Sequence, residues 1–188
     1  MDAILASFLL VAVAEMGDKT QLLALTLASR YRRPWTVMGG ILAATVVNHG
    51  LASLVGAEVS ALVPPRAMAA ALAATFVGFG LWTLRPDTLD DAAHPERFGP
   101  FLTTAVLFFL AEMADKTQLA TIALAARYGS VLLVTTGTTL GMLASDGLAV
   151  FLGERLARAV PMRRIRVGAA ALFIAFGVAS AWTAIRGA

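Results

Sequence analysis

Residues 14–21 read AEMGDKTQ, and residues 111–118 read AEMADKTQ. Each stretch sets a glutamate, an aspartate and a lysine among apolar neighbours: Glu15, Asp18 and Lys19 in the first, Glu112, Asp115 and Lys116 in the second. The chain has no other lysine. On an unbroken helix, spacings of three and four put each charged trio on one face. If the two faces meet, four carboxylates and two ammoniums share a site of formal charge −2. One divalent cation neutralises that site, and so do two protons, which is the charge logic of an exchanger. Clustered carboxylates repel one another, so such a site should take up protons as well as metal. With oxygens from Thr20, Gln21, Thr117 and Gln118 as ligands or orienting groups, the donor set is hard and suits Mg²⁺, Ca²⁺ or Mn²⁺. The chain has no cysteine, which removes thiolate metal sites, cysteine nucleophiles and disulfides. Met16 and Met113 follow the glutamates and offer either a thioether ligand or simple packing.

Both motifs fall in the middle of long apolar stretches, where each charge costs about 2.5–3.5 kcal/mol on insertion scales. The charged groups must therefore face one another or water. Lys19 and Lys116 are the charge-balancing members. A plainer reading makes each glutamate–lysine pair a structural salt bridge. Buried ion pairs stabilise weakly, however, and that reading leaves Asp18 and Asp115 as excess charge. Hydrolysis by an Asp18–Asp115 dyad is disfavoured, because the adjacent lysine holds each aspartate ionised whereas an aspartic dyad shares one proton.

The elements that must position these residues are membrane helices. The sequence is 59% hydrophobic and only 14% charged, against about 25% charged in soluble domains. The apolar blocks approach or exceed the roughly 20 residues that cross a bilayer. Six helices are predicted, near 3–29, 35–57, 66–84, 99–126, 130–152 and 165–185. The end of LLVAVAEMG resembles a signal-peptidase site, but Asp2 precedes it without any Lys or Arg, so a retained first helix is expected. Shifting the chain by 97 residues superposes the two motifs. It also aligns Arg30–Tyr31 with Arg127–Tyr128, Gly50 with Gly147, Gly56 with Gly153, Pro64 with Pro161 and Gly80 with Gly177. The chain is an internal duplication: residues 1–85, an acidic linker at 86–98, and residues 99–188. Three spans per copy force the second copy to enter from the opposite face, the inverted-repeat plan of secondary transporters. The expected fold is thus an all-α polytopic membrane protein of six transmembrane helices in two inverted three-helix repeats.

Arginine placement orients it. Arg30, Arg32, Arg33, Arg85, Arg97, Arg155, Arg158, Arg163, Arg164 and Arg166 fall on one side, and Arg66, Arg127 and Arg186 on the other. By the positive-inside rule the first side is cytoplasmic and both termini lie outside. The loop with Asp87, Asp90, Asp91 and Glu96 then becomes a cytoplasmic hinge, with His94 solvated. No basic stripe with interleaved aromatics points to nucleic acid.

At the doubled motif the sequence resembles the Ca²⁺/Mn²⁺:H⁺ antiporter family, which includes Golgi manganese transporters and bacterial manganese exporters. The pattern E-x-G-D-K-[ST] occurs twice, and the resemblance covers essentially the whole chain. It implies divalent-cation export coupled to protons, with Glu15, Asp18, Glu112 and Asp115 as metal-site residues. One departure is visible: Ala114 stands where the first copy has Gly17, so the second helix should unwind less readily.

Three further polar residues lie deep in apolar helices. NHG (48–50) aligns with SDG (145–147), which places Asn48, His49 and Asp146 there. Asp146 is a fifth carboxylate or a proton relay. His49 either titrates near neutral pH or only hydrogen-bonds across helices. Gly137 and Gly141, matched by Gly40 and Ala44, suit close helix packing. Arg30–Tyr31 and Arg127–Tyr128 are interfacial anchors or gate residues. The expected function is export of Mn²⁺, with Ca²⁺ the neighbouring choice, in exchange for protons and without a resident cofactor. A passive cation channel and an exporter of basic amino acids are the alternatives. The expected setting is a bacterial plasma membrane, with lipids, metal ion and protons as partners and a homo-oligomer compatible with the sequence.

Overall fold

A computed structural model describes residues 2–85, 98–113, 115–153 and 162–186 of the chain. Among these residues every regular element is a helix. The first copy holds α1 (Asp2–Ala14), α2 (Lys19–Tyr31), α3 (Pro34–Leu62) and α4 (Pro65–Thr83). The second holds α5 (Pro100–Glu112), α6 (Lys116–Tyr128), α7 (Val131–Leu152) and α8 (Met162–Arg186). Asp87, Asp90, Asp91, His94, Glu96, Arg97, Ala114, Arg155 and Arg158 lie outside the described residues.

Local chemistry sets the boundaries. Pro34, Pro65 and Pro100 open α3, α4 and α5, where a missing N–H costs nothing because the first turn has no acceptor for it. Helices α2 and α6 end on left-handed residues at the same repeat position. Gly129 (φ 63°) closes α6, and its N–H bonds to Ala125 O. Arg32 (φ 51°) closes α2 in the same way onto Ala28 O, although a side chain disfavours that conformation. The RY-R-R to RY-G-S change therefore preserves the turn while removing charge.

Two expectations need correction. The spans predicted at 3–29 and 99–126 are not continuous: each is broken at its motif into two thirteen-residue helices. In the copy that lacks the glycine, α5 likewise ends at Glu112 and α6 begins at Lys116, so the second copy is interrupted as the first is. Consequently four helices, α3, α4, α7 and α8, are long and apolar enough to cross a membrane, and α1 and α5 are shorter apolar segments. The chain is an α-helical integral membrane protein.

Packing between the copies is reciprocal. Helix α3 lies on α5 and α6 as α7 lies on α1 and α2, while α4 packs along α8. The glycines show how closely. A Cβ at Gly40 would sit 2.7 Å from Phe101 O and from Thr104 Cβ; one at Gly137 would sit 2.5 Å from Ile4 O and 2.8 Å from Ser7 Cβ. Those are the same contacts shifted by 97. Gly80 against Ile174 and Gly177 against Val77 repeat the relation between α4 and α8. Reciprocity fails in one place. Helix α4 also packs on α6, and α8 on α1; the repeat-related contacts, α8 on α2 and α4 on α5, are marginal or absent among the described residues. An apolar cluster fills the favoured side, with the fully buried repeat mates Phe76 and Phe173 against Leu10, Ala14 and Leu124.

Candidate metal centre

The two helix breaks meet at the centre of the bundle. Glu15 follows the last residue of α1, its N–H bonding to Val11 O at 2.9 Å. Gly17 then takes φ 78°, a left-handed value that glycine reaches without strain. Asp18 N-caps α2, accepting from Lys19 N at 2.9 Å. In the second copy Glu112 ends α5, and Asp115 precedes α6 with backbone angles (−80°, 165°) that match those of Asp18 (−84°, 170°). Two helix C-termini and two N-termini therefore converge, which leaves backbone groups without helical partners around the carboxylates.

The carboxylates are out of water. Glu15 and Glu112 are fully buried, and Asp18 and Asp115 nearly so. One oxygen each from Glu15, Glu112 and Asp115 lies within 4.8 Å of the others, close enough to hold one metal ion. Lys116 Nζ reaches Asp18 Oδ1 at 2.9 Å, and Lys19 Nζ reaches Asp115 Oδ1 at 3.1 Å, so each copy's cation neutralises the other copy's aspartate. The shared-face argument from an unbroken helix is replaced by this exchange across the break. The two bridges differ in setting: the Lys116 side chain is 3% exposed and that of Lys19 is 28% exposed. Lys19 on α2 is thus the more accessible of the two cations.

The glutamates also differ. Thr20 Oγ1 donates to Glu15 Oε2 at 2.5 Å, and Thr117 Oγ1 donates to Glu15 Oε1. Both threonines thus serve one glutamate. Neither oxygen of Glu112 has a protein hydrogen-bond partner among the described residues, so its acceptors are left for a cation or a proton.

The amides named from the sequence also tie helices together, and Gln21 Oε1 accepts from Gly17 N at 2.8 Å within the first break. Gln21 Nε2 donates to Ser145 O at 3.0 Å and to Ser145 Oγ at 3.3 Å, joining α2 to α7. Gln118 Nε2 donates to Asn48 Oδ1 at 3.4 Å, and Asn48 Nδ2 to Phe109 O at 3.1 Å, joining α6, α3 and α5. Ser145 was not singled out from the sequence, although its alignment with Asn48 was the available signal. His49 and Asp146 are repeat mates, fully buried, and none of their side-chain polar atoms has a partner among the described residues. Neither belongs to the tight three-carboxylate set. Met113 is 53% exposed.

The sequence profile of the family described as "Divalent cation/proton antiporter GDT1" matches the chain twice, over residues 3–91 and 100–188. The chain belongs to this antiporter family. Its relatives span its length. A Vibrio cholerae protein named "Putative manganese exporter" is 41% identical over 97% of this chain and 92% of its own. The "GDT1-like protein sll0615" of Synechocystis is 32% identical over 98% and 99%. A rice protein named "GDT1-like protein 3" is 29% identical over 95% of this chain and 73% of its own. No solved structure matches the chain. As a member of the family the chain is a divalent cation/proton antiporter, a transporter class rather than an enzyme class.

Proposed function

We propose that the chain exports Mn²⁺ from the cytoplasm in exchange for external protons, through one site built from both motif copies. The observation that carries this reading is the buried approach of Glu15, Glu112 and Asp115 within 4.8 Å. Glu15 and Glu112 with Asp115 are the metal ligands; Asp18 and the two lysines set the charge. The hard oxygen set admits Mn²⁺, Ca²⁺ and Mg²⁺ alike, and the name of the Vibrio relative favours Mn²⁺ among them; Ca²⁺ is the competitor to test. Asp146 and His49, buried and without a hydrogen-bond partner among the described residues, are assigned to proton movement.

In this reading α1 with α2, and α5 with α6, each form one broken crossing, giving six spans in two inverted repeats with both termini outside the plasma membrane. Broken helices at the midplane are where transporters place ion sites. Helices α1 and α6 then line the outer half and α2 and α5 the inner half. The packing of α4 and α8 on α1 and α6, and the greater exposure of Lys19, support an inward-open state. Cytoplasmic metal reaches Glu112 and Asp115 and displaces protons. The α4–α8 pair then rocks from α1 and α6 onto α2 and α5. By the repeat relation, Thr20 and Thr117 pass from Glu15 to Glu112 in the opposite state, and external protons release the metal.

The test is exchange in proteoliposomes with a trapped Mn²⁺-quenched dye and an imposed pH gradient. Uphill Mn²⁺ movement driven by protons is expected, and acidifying the external side should accelerate export. Glu15→Gln, Asp18→Asn, Glu112→Gln and Asp115→Asn should each reduce it at least about tenfold, since each removes a charge from the transported state. Normal exchange in any two of these variants defeats the assignment. Movement only down the metal gradient replaces the exchanger with a channel.

A further inference from the structure

A cavity of about 500 Å³ opens where α3, α6 and α8 end and α4 begins, apart from the carboxylate cluster. Arg127, Tyr128, Ser180 and Thr183 line it on one side, and Met68 and Leu72 on the other. The Arg127 guanidinium donates to Ser180 Oγ, and it lies 5.8 Å from the Tyr128 ring and 5.6 Å from the Phe176 ring. Ser180 is 1% exposed and is itself fixed by donation to Phe176 O at 2.9 Å. Among the described residues no carboxylate pairs with Arg127. Glu58, the one acid on α3, is exposed and forms no ion pair with it. Hydroxyl and ring contacts hold the guanidinium in place but leave its charge unneutralised.

That charge excludes one use and points to another. A guanidinium without a counter-ion opposes a divalent cation, so the cavity is not a metal route. Depth narrows the choice. Eleven residues of α6 separate Lys116 from Arg127, a rise of roughly 16 Å at about 1.5 Å per residue. Half of the hydrocarbon core is about 15 Å. With the motif at the midplane, as the proposed function has it, Arg127 stands at the level of lipid phosphates. The cavity is bounded by α4 and α8, whose apolar windows are the least buried of the long helices, at 33% and 28%, and so face lipid. The repeat mate Arg30 is exposed.

We propose that this cavity binds an anionic phospholipid, with the phosphate on the Arg127 guanidinium that Ser180 orients and an acyl chain along Met68 and Leu72. Binding to purified, delipidated protein in detergent is measured by native mass spectrometry, using phosphatidylglycerol, phosphatidylcholine and inorganic phosphate as probes. The expected result is saturable phosphatidylglycerol binding about tenfold tighter than phosphatidylcholine, with inorganic phosphate failing to compete. Arg127→Gln should abolish the preference. Ala69→Phe, which fills the cavity and leaves the guanidinium contacts intact, should weaken phosphatidylglycerol equally; Arg30→Gln should change neither. Equal binding of the two lipids, or a preference that survives both cavity variants, overturns the site. Competition by inorganic phosphate at the affinity of the lipid overturns the lipid assignment in favour of a soluble phosphate. None of these readouts requires transport, so the site and the exchange reaction can fail separately.

Discussion

Replacing Lys116 with methionine keeps the length of the side chain and deletes its charge, and the same change at Lys19 makes the repeat-equivalent perturbation. From the motifs alone the two variants are indistinguishable. The geometry separates them. Lys116 and Asp18 are bridged at 2.9 Å with side chains 3% and 1% exposed, so losing the lysine removes the counter-charge of a buried carboxylate, an event that costs about 3–5 kcal/mol. Lys19 and Asp115 are bridged at 3.1 Å with side chains 28% and 6% exposed; water reaches the lysine, and about 1 kcal/mol is expected. Double-mutant cycles isolate the pairs. In reversible unfolding from mixed micelles titrated with denaturing detergent, Lys116→Met with Asp18→Asn should show a coupling of about 3 kcal/mol. Lys19→Met with Asp115→Asn should show about 1 kcal/mol. Lys19→Met with Glu15→Gln, a pair inside one motif, should fall below about 0.5 kcal/mol. Equal coupling in the first two cycles would remove the argument from burial. The largest coupling inside a motif would show that the exchange across copies is wrong.

Gly40→Ala and Gly137→Ala should each destabilise the fold by about 1–3 kcal/mol through overpacking, because their new methyls meet Phe101 O at 2.7 Å and Ile4 O at 2.5 Å. Gly50→Ala, with no neighbour inside 4 Å, should be neutral in the same thermal-unfolding assay. Gly17→Ala forces a side chain to φ 78° and should cost about 1–2 kcal/mol, read as a lowered unfolding midpoint.

How much of this was legible in the residues varies with the range of the interaction that decides it. The duplication, the six charged residues and their convergence could be read directly, because a 97-residue offset and the cost of isolated charge in lipid are sequence-level facts. The helix breaks could not be read from hydrophobicity, since Leu and Ala run up to both motifs without a gap. A local signal existed: aspartate is a favoured N-cap, and Asp18 and Asp115 both start helices. Glycine misled in the other direction. Its absence from the second motif suggested a sturdier helix, yet the second copy breaks at the matching position. What the copies share is the aspartate and its lysine partner across the interface, and that contact is invisible to any window of neighbouring residues. The cross-pairing itself depends on α3 and α7 holding the opposite copy's half-helices, through contacts at Gly40 and Gly137.

In the proposed exchange cycle, the ion pairs and the threonine bonds would divide the work of alternation between them. The aspartate–lysine bridges are reciprocal: exchanging the copies turns each into the other, so both can persist while the bundle changes the side it opens, with only their exposure trading places. The hydroxyl bonds are not reciprocal, because Thr20 and Thr117 both end on Glu15 while Glu112 has no hydrogen-bond partner among the described residues. A two-fold exchange must therefore move both hydroxyls. Such a move costs little on balance, since each bond broken at one glutamate is remade at the other, and buried acceptors are expensive only when nothing replaces the lost donor. At any moment one glutamate is satisfied by protein and one is left to be satisfied by a metal ion or a proton. That condition makes an empty, fully ionised site the least favourable state in either orientation. On the proposed mechanism, that condition favours exchange over leak.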